Sequence, residues 1–312
     1  MTGGKVKSFR ELEQECESLF LCQGPIWHLY TPGDSTNLLF RNSEDFIAGM
    51  NIMAFSALDY PQLRYFTFEL MNNHLHAVIA GEKEVILKFF NNFKKRLSRY
   101  LLSKEIYVDV LSTEPSLKPV LDLKSLCTLI LYVNRNGYVV NSNVTPFSYP
   151  WGANMYFFNP ITRNQNRQYF SDLKVKERRR ICRSHKCDYP DSIYLTSGYI
   201  SPLCYCDIDT AEKFFRNAHH YMSMITKGIE SYSEIAKGLG DKTFLSDDEM
   251  YSTATGISMR KYNKLKLTEL SNQERIEIAK TLHFDYYASN KQISRILKLD
   301  LHSVESMFPK AR

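Results

Sequence analysis

The chain has 312 residues, 44% of them hydrophobic and 24% charged, with a formal net charge of +6. That balance excludes a disordered chain, and the sequence holds no run of 18 or more apolar residues to cross a membrane. Seven cysteines without regular spacing give no disulfide framework, and residues 1–7 offer no apolar stretch for a signal peptide, so a cytoplasmic protein free of membranes is expected.

Residues 1–24 read as an N-terminal arm. Residues 26–31 follow as a first strand, ended by the turn signal Pro32-Gly33-Asp34. Ser43-Glu44-Asp45 starts a helix whose apolar positions Phe46, Met50, Met53 and Leu58 carry it to about Asp59, and Pro61 breaks it. Residues 63–70 alternate as a second strand. Met71-Asn72-Asn73 turns the chain, and residues 74–80 return as a third strand stopped by Gly81. Residues 82–102 read as a long amphipathic helix with Lys94, Lys95, Arg96 and Arg99 on its exposed side. A fourth strand is expected at 106–111 and a further helix at 119–136. The order βαββαβα gives the α+β class, an antiparallel sheet with helices on one face in the ferredoxin-like arrangement.

Beyond Tyr149-Pro150-Trp151 the pattern loosens. Residues 173–186 hold seven Lys/Arg and one Glu, so all of the excess charge lies in one short stretch. Its cations include Lys174, Lys176, Arg178, Arg179, Arg180 and Arg183, which make either a solvated face or a contact with a polyanion. Residues 211–239 look helical, with Ala211, Phe214, Phe215 and Ala218 as an apolar stripe, and 240–268 read as a linker with short helices. In the tail, Ser271-Asn272-Gln273-Glu274 is a capping box that starts a helix through Ile276, Ile278, Ala279 and Leu282. Ser289 caps a second helix, and a turn at Lys298-Leu299-Asp300 leads to a third with Val304 and Phe308. This is the helix-turn-helix pattern, which small helical bundles also make. The expected units are therefore 25–158, 159–245 and 246–312.

Two places carry chemistry. His74 and His76 flank Leu75 on a strand, so both imidazoles point to one side while Leu75 points to the core. They are either half of a divalent-metal site or ordinary half-buried rings. On the helix ending at Asn136, Leu123, Leu126, Ile130 and Val133 form the core stripe, and Ser125, Thr128, Tyr132 and Asn136 lie on the other side. A tyrosine there is either a surface ring or a nucleophile. Glu69 joins the histidine layer only in a favourable strand register. Cys182, Cys187, Cys204 and Cys206, with His185 between them, are a candidate zinc set whose spacing is unlike the common ribbons.

Met71-Asn72-Asn73-His74-Leu75-His76 resembles the histidine–hydrophobic–histidine motif of HUH single-strand DNA nucleases. Tyr132-Val133-Asn134-Arg135-Asn136, followed by Gly137-Tyr138-Val139-Val140 and then Tyr149-Pro150-Trp151, resembles the tyrosine helix of single-tyrosine transposases, REP-associated type. The resemblance spans roughly residues 25–155, and the tail also fits that branch. It departs at Asn72, where the family has Pro, at Gly137, where it has Asn-Pro after the tyrosine, and at Gly152-Ala153, where it has serines. Residues 160–245 fall outside it.

The resemblance implies an HUH domain over 25–158, with His74, His76 and Asn136 holding Mg²⁺ or Mn²⁺. Tyr132 would be the nucleophile, leaving a 5′-phosphotyrosine and a free 3′-hydroxyl on single-stranded or hairpin DNA. The basic residues named above would follow the phosphates. Two alternatives stay open, a catalytically idle DNA-binding relative and a nicking enzyme of the replication-initiator or relaxase type. Monomer and homodimer are both compatible.

Overall fold

Strand β1 (Ile26–Tyr30) lies in the interior of a four-stranded sheet and sets its register. The computed structural model describes residues 9–31, 39–140, 148–225, 247–264, 266–286 and 288–309, without the side chains of 9, 136–140, 247–249 and 252. The turn expected at Pro32-Gly33-Asp34 lies outside those residues. Helix α1 (Phe9–Leu21) precedes β1, where only an arm was expected. Helix α2 (Ser43–Leu58) follows, its N-terminus capped by Asn42, whose side chain accepts from the Asp45 amide at 3.0 Å. Strands β2 (Arg64–Leu70) and β3 (Leu75–Ala80), helix α3 (Lys83–Ser103), strand β4 (Ser116–Val120) and helix α4 (Leu123–Val140) complete the series.

The sheet order is β2-β3-β1-β4 with every neighbouring pair antiparallel. Residues opposite one another share a face, so the register sorts the side chains. Leu29, Tyr65, Phe68, Leu70, Leu75, Ala77 and Ile79 fall on one face, which is apolar. Helices α2 and α3 cover it: Phe89 meets Tyr65 at 5.1 Å, and Gly49 sits so close to Phe40 and Leu70 that a Cβ would collide. Phe89, Phe90 and Phe93 of α3 are buried, each worth roughly 2–3 kcal/mol relative to exposure.

The opposite face carries His28, Tyr30, Thr67, Glu69, His76, Val78 and Lys118. Helix α4 covers it, with the Tyr132 ring against His28 and His76 and Asn134 accepting from the Thr67 hydroxyl. Helices thus lie on both faces, not on one.

The fourth strand is not at 106–111. That segment makes no strand pairing, its Val110 amide donates to the Val108 carbonyl at 2.9 Å, and Tyr107 is 82% exposed. β1 pairs with 116–120 instead, at the sheet edge, where Pro119 is tolerated because one side of an edge strand has no ladder partner. The next helix accordingly starts at Leu123, with Asp122 accepting from the Ser125 amide at 2.7 Å. Along the other edge, the Leu70 amide donates to the Trp151 carbonyl at 2.8 Å and the Ala153 amide to the Phe68 carbonyl at 3.0 Å. Gly152 bridges Glu69 between them.

Residues 160–190, without a clear period in the sequence, fold with this unit. Helix α5 (Pro160–Arg163), strand β5 (Gln168–Tyr169), helix α6 (Val175–Cys182) and strands β6 (Tyr194–Thr196) and β7 (Tyr199–Ile200) give a second antiparallel sheet, order β5-β6-β7. Its core joins Phe170, Ile193, Leu195 and Ile200 to Ala54 and Phe55 of α2. Helix α7 (Ile208–Lys213) ends before Phe214, and α8 (Ala218–Ile225) begins after a break. Ala211, Phe214 and Phe215 are buried, but Ala218 is exposed, because the break rotates it off the stripe. The helical stretch and linker expected over 226–246 lie outside the described residues.

The chain divides into two units, 1–136 with 146–226, and 137–145 with 227–312. In the second unit a continuous helix α9 (Asp247–Tyr262) occupies what reads as a linker. Helices α10 (Asn272–Tyr286), α11 (Asn290–Leu297) and α12 (Leu301–Met307) follow. Ser271 and Glu274 form the expected capping box, as do Ser289 and Gln292. Lys298 adopts φ 53° at the end of α11, and Asp300 caps α12. Ile278, Leu282, Ile293, Ile296, Leu297 and Val304 make the core. Among the described residues no helix is long and apolar enough to cross a membrane.

Candidate active site

The polar face of the main sheet gathers three imidazoles and a phenol. His76 projects from β3, His28 from β1 two positions along the ladder, and His74 from the turn that leads into β3. The His74 and His76 rings stand perpendicular with centroids 4.9 Å apart. Tyr132, delivered by α4, meets His76 edge to face at 5.6 Å and His28 at 6.3 Å. Tyr30 stacks on His28 at 4.7 Å, and the Lys118 ammonium lies 5.5 Å from the Tyr30 ring. The register sets Glu69 opposite His76, so its buried carboxylate belongs to this layer.

Both histidines of the pair are held through Nδ1. The Asn73 Oδ1 lies 2.7 Å from His74 Nδ1, and His28 Nε2 lies 3.1 Å from His76 Nδ1. Burial pushes the His76 imidazole down to about 3. Burial, then the neighbouring His76 and Lys118, hold His28 well below the ordinary range. At neutral pH these rings are uncharged, the state in which an imidazole can bind a cation.

The site is closed. Tyr132 is 1% exposed, His76 0% and His74 4%. Helix α4 does not have one core stripe and one open side: from Leu126 to Arg135 nearly every position is buried. The apolar stripe is where it was expected, but the facing side of the sheet covers the other side of the helix as well. A buried network holds α4 in place: Asn134 donates to the Tyr221 hydroxyl at 2.8 Å, that hydroxyl donates to Asn154 at 2.6 Å, and Asn154 donates to the Asn134 carbonyl at 2.7 Å.

His74 and His76 suit a divalent cation, because each has its Nδ1 engaged and its Nε2 as the remaining donor, the arrangement that orients metal-bound imidazoles. They supply only part of a coordination sphere. Among the described residues no three His, Cys, Asp or Glu converge on one point. Asn136 lies in α4, and its side chain is outside the described residues. A mixed set of nitrogen and oxygen donors is the chemistry of Mn²⁺ and, with more oxygens, Mg²⁺.

The basic residues lie elsewhere. Lys95 and Arg99 are exposed on α3. Lys94 is not: its ammonium is buried and donates to the Leu111 and Thr113 carbonyls at 3.0 and 2.8 Å. Arg96 is half-buried against Asp59 at 2.8 Å. The exposed side expected for this helix is thus narrower, because α6 and residues 106–115 pack along it. Lys174, Lys176, Arg179, Arg180 and Arg183 are exposed on and around α6, and Arg178 is half-buried. Arg183 stacks 4.3 Å over Tyr100, and Arg96 reaches the Cys182 carbonyl at 3.3 Å. The two basic stretches therefore meet at the α3–α6 junction. Helix α3 covers the apolar face, whereas Tyr132 covers the polar one, so this surface and the imidazole cluster lie on opposite sides of the sheet.

The cysteine set packs as core. Cys182 and Cys187 sit in the cluster around Phe55 and Phe170. Cys204 accepts from the Tyr194 amide at 3.4 Å; burial pushes its thiol up to about 11 and holds that of Cys206 well above the ordinary thiol value. His185 is exposed. Sequence reasoning missed His28, Tyr30 and Lys118. The signal was present, since His28-Leu29-Tyr30 repeats the alternation of His74-Leu75-His76, but it becomes informative only once β1 is paired with β3.

Comparisons of the chain with protein-family models, with curated proteins and with solved structures give no significant match.

Proposed function

We propose that the chain is a single-tyrosine HUH-type transposase, cutting and rejoining single-stranded DNA through a phosphotyrosine at Tyr132. The observation that carries this reading is the Tyr132 ring edge-on to His76 at 5.6 Å, with His74 beside it. The sheet order, in which β3 lies between parallel β1 and β2, supports the ferredoxin-like HUH arrangement. Residues 151–153 along the β2 edge fit the same picture.

In this mechanism the Tyr132 oxygen attacks phosphorus in line, forming the tyrosyl ester and releasing the 3′-hydroxyl. The ester conserves the phosphodiester energy, so a second 3′-hydroxyl can displace Tyr132 and rejoin the strands. A divalent cation at His74 and His76, with Asn136 as third ligand, would polarise a non-bridging phosphate oxygen. The protein's own part is to hold the His76 imidazole neutral by burial, to fix the ring of Tyr132 in the same way, and to keep water away from the ester. Because Tyr132 and His76 are buried, DNA reaches them only in a conformation that opens this face. The α3–α6 basic surface, on the other side of the sheet, would bind phosphates of the flanking hairpin rather than of the scissile step. The tail would contribute a helix-turn-helix contact. Helix α12 turns His302, Ser303, Glu305 and Ser306 outward, so phosphate contacts there would fall to Lys291, Arg295 and Lys298.

The burial of Tyr132 and His76 favours one second reading: a relative whose polar core persists while the catalytic site is idle. Incubating the protein with a hairpin carrying a single-stranded flank and Mn²⁺ separates the two. A covalent protein–DNA adduct, absent in Tyr132→Phe, supports the transposase. Binding with no adduct supports the idle relative.

A further inference from the structure

We infer that His28 is a positioning residue for His76, accepting its Nδ1–H when Nε2 is presented to a cation. The inference deepens the proposed function and rests on it. The His28 and His76 rings lie nearly parallel, 18° apart, with Nε2 and Nδ1 at 3.1 Å. A contact of that length between two neutral imidazoles needs one N–H and one lone pair.

Two tautomer arrangements satisfy it. In the first, His28 Nε2–H donates to His76 Nδ1, and His76 carries its proton on Nε2, where it blocks a cation. In the second, His76 Nδ1–H donates to His28 Nε2. His76 Nε2 is then a lone pair, and His28 carries its proton on Nδ1. That Nδ1 is buried without a hydrogen-bond partner among the described residues. The first arrangement likewise leaves its outer N–H, on His76 Nε2, buried, so neither arrangement is favoured without a cation. A cation on His76 Nε2 draws the pair into the second. Both arrangements hold two ring protons, so the change is a transfer along the His28–His76 contact, with solvent exchanging protons at the outer nitrogens.

His74 needs no such help, because Asn73 Oδ1 can only accept and already sets its Nδ1–H. His28 is thus the element that couples cation binding to the second strand of the site. Orienting partners of this kind are worth ten- to a hundredfold in metal affinity.

The experiment uses the full chain and Mn²⁺ as probe, with binding followed by electron paramagnetic resonance. His28→Phe, which keeps a ring and removes both nitrogens, is expected to weaken Mn²⁺ binding by about ten- to a hundredfold. His28→Gln, whose amide oxygen can accept from His76 Nδ1, is expected to stay within about threefold of the wild type. ¹⁵N spectra of the wild-type imidazoles, recorded with and without Mg²⁺, are expected to show His76 as the Nδ1–H tautomer, with no proton on Nε2, at saturating Mg²⁺. This readout needs no variant to fold. Wild-type affinity retained in His28→Phe, or His76 keeping Nε2–H at saturating Mg²⁺, overturns the inference alone. No Mn²⁺ binding by the wild-type chain overturns the metal site and the inference together.

Discussion

Tyr132 and His76 meet edge to face in the interior of the chain, ring centroids 5.6 Å apart and planes 88° apart, with neither ring open to solvent. The contact makes Tyr132 a packing residue as well as the proposed nucleophile, and the two roles separate by substitution. Tyr132→Phe keeps the ring and is expected to cost about 1 kcal/mol or less, the scale of one hydrogen bond. Tyr132→Ala is expected to cost about 3–5 kcal/mol through the cavity it leaves. Urea unfolding of the two variants checks this, and an alanine variant as stable as the wild type would mean that the ring is not packed.

Stability is expected to fall on mild acidification. Folded His76 titrates near 3, far below the unfolded value of about 6.5. Its contribution is therefore fully present above pH 6.5 and is lost as pH falls from there toward 3. Between pH 7 and pH 5 the loss is about 2 kcal/mol for one ring kept neutral. Asp45, held below the ordinary carboxylate range by Arg41 and Tyr100 despite its burial, acts in a separate window below about pH 4. Urea midpoints at pH 7 and pH 5 measure the effect. His76→Gln should reduce the difference by one ring's share, and an equal difference in both proteins would contradict the assignment.

How much of this was legible in the sequence differs by element. The start signal Ser43-Glu44-Asp45, the break at Pro61 and the alternation of 63–70 and 74–80 located α2, β2 and β3 to within a residue or so, because those signals are local. The fourth strand was misplaced because Ile106-Tyr107-Val108 has the stronger strand propensity, while β1 selects Ser116–Val120 by register, a tertiary choice. Tyr132 could be singled out from its place one turn before Asn136. Its burial could not, because that depends on which side of the sheet α4 covers. His28 was missed for another reason: its alternation with Tyr30 becomes informative only once β1 is paired with β3.

The segment at 151–153 gives a third test. A Cβ on Gly152 would stand 2.7 Å from the Phe68 carbonyl oxygen and 3.1 Å from Glu69 Cγ, and the first of these is backbone that cannot swing aside. Gly152→Ala is expected to push the segment off the β2 edge at a cost of about 1–3 kcal/mol. Calorimetric melting shows it as a lower Tm, and an unchanged Tm would mean that residues 151–153 do not lie against Phe68 and Glu69.

Lys94 and Lys95 are adjacent in sequence and opposite in role. Lys94→Ala removes two charge-assisted bonds to the Leu111 and Thr113 carbonyls and should cost about 1.5–3 kcal/mol without changing DNA affinity in the folded protein. Lys95→Ala is expected to change stability by no more than about 0.5 kcal/mol. Chemical denaturation paired with DNA titration checks both, and equal stability losses would contradict the different environments of the two ammonium groups.

The α3–α6 surface makes a salt-dependence prediction. If it neutralises about six phosphates of a single strand, log affinity falls with log salt at a slope near −4. Arg179→Gln with Arg180→Gln should reduce that slope by about 1.4 and weaken binding uniformly across sequences. Fluorescence anisotropy at several salt concentrations reads it, and a wild-type slope near zero would remove these residues from nucleic-acid binding.

The most direct test of the central claim is peptide mapping of the protein after incubation with hairpin DNA and Mn²⁺, nuclease digestion and trypsin. Cleavage after Lys124 and Arg135 isolates residues 125–135, with Tyr132 as the only tyrosine. A nucleotide phosphate is expected on that peptide, and its loss in Tyr132→Phe. A nucleotide on the peptide that contains Tyr138 instead, or no modified peptide while the DNA is fully bound, would contradict the claim.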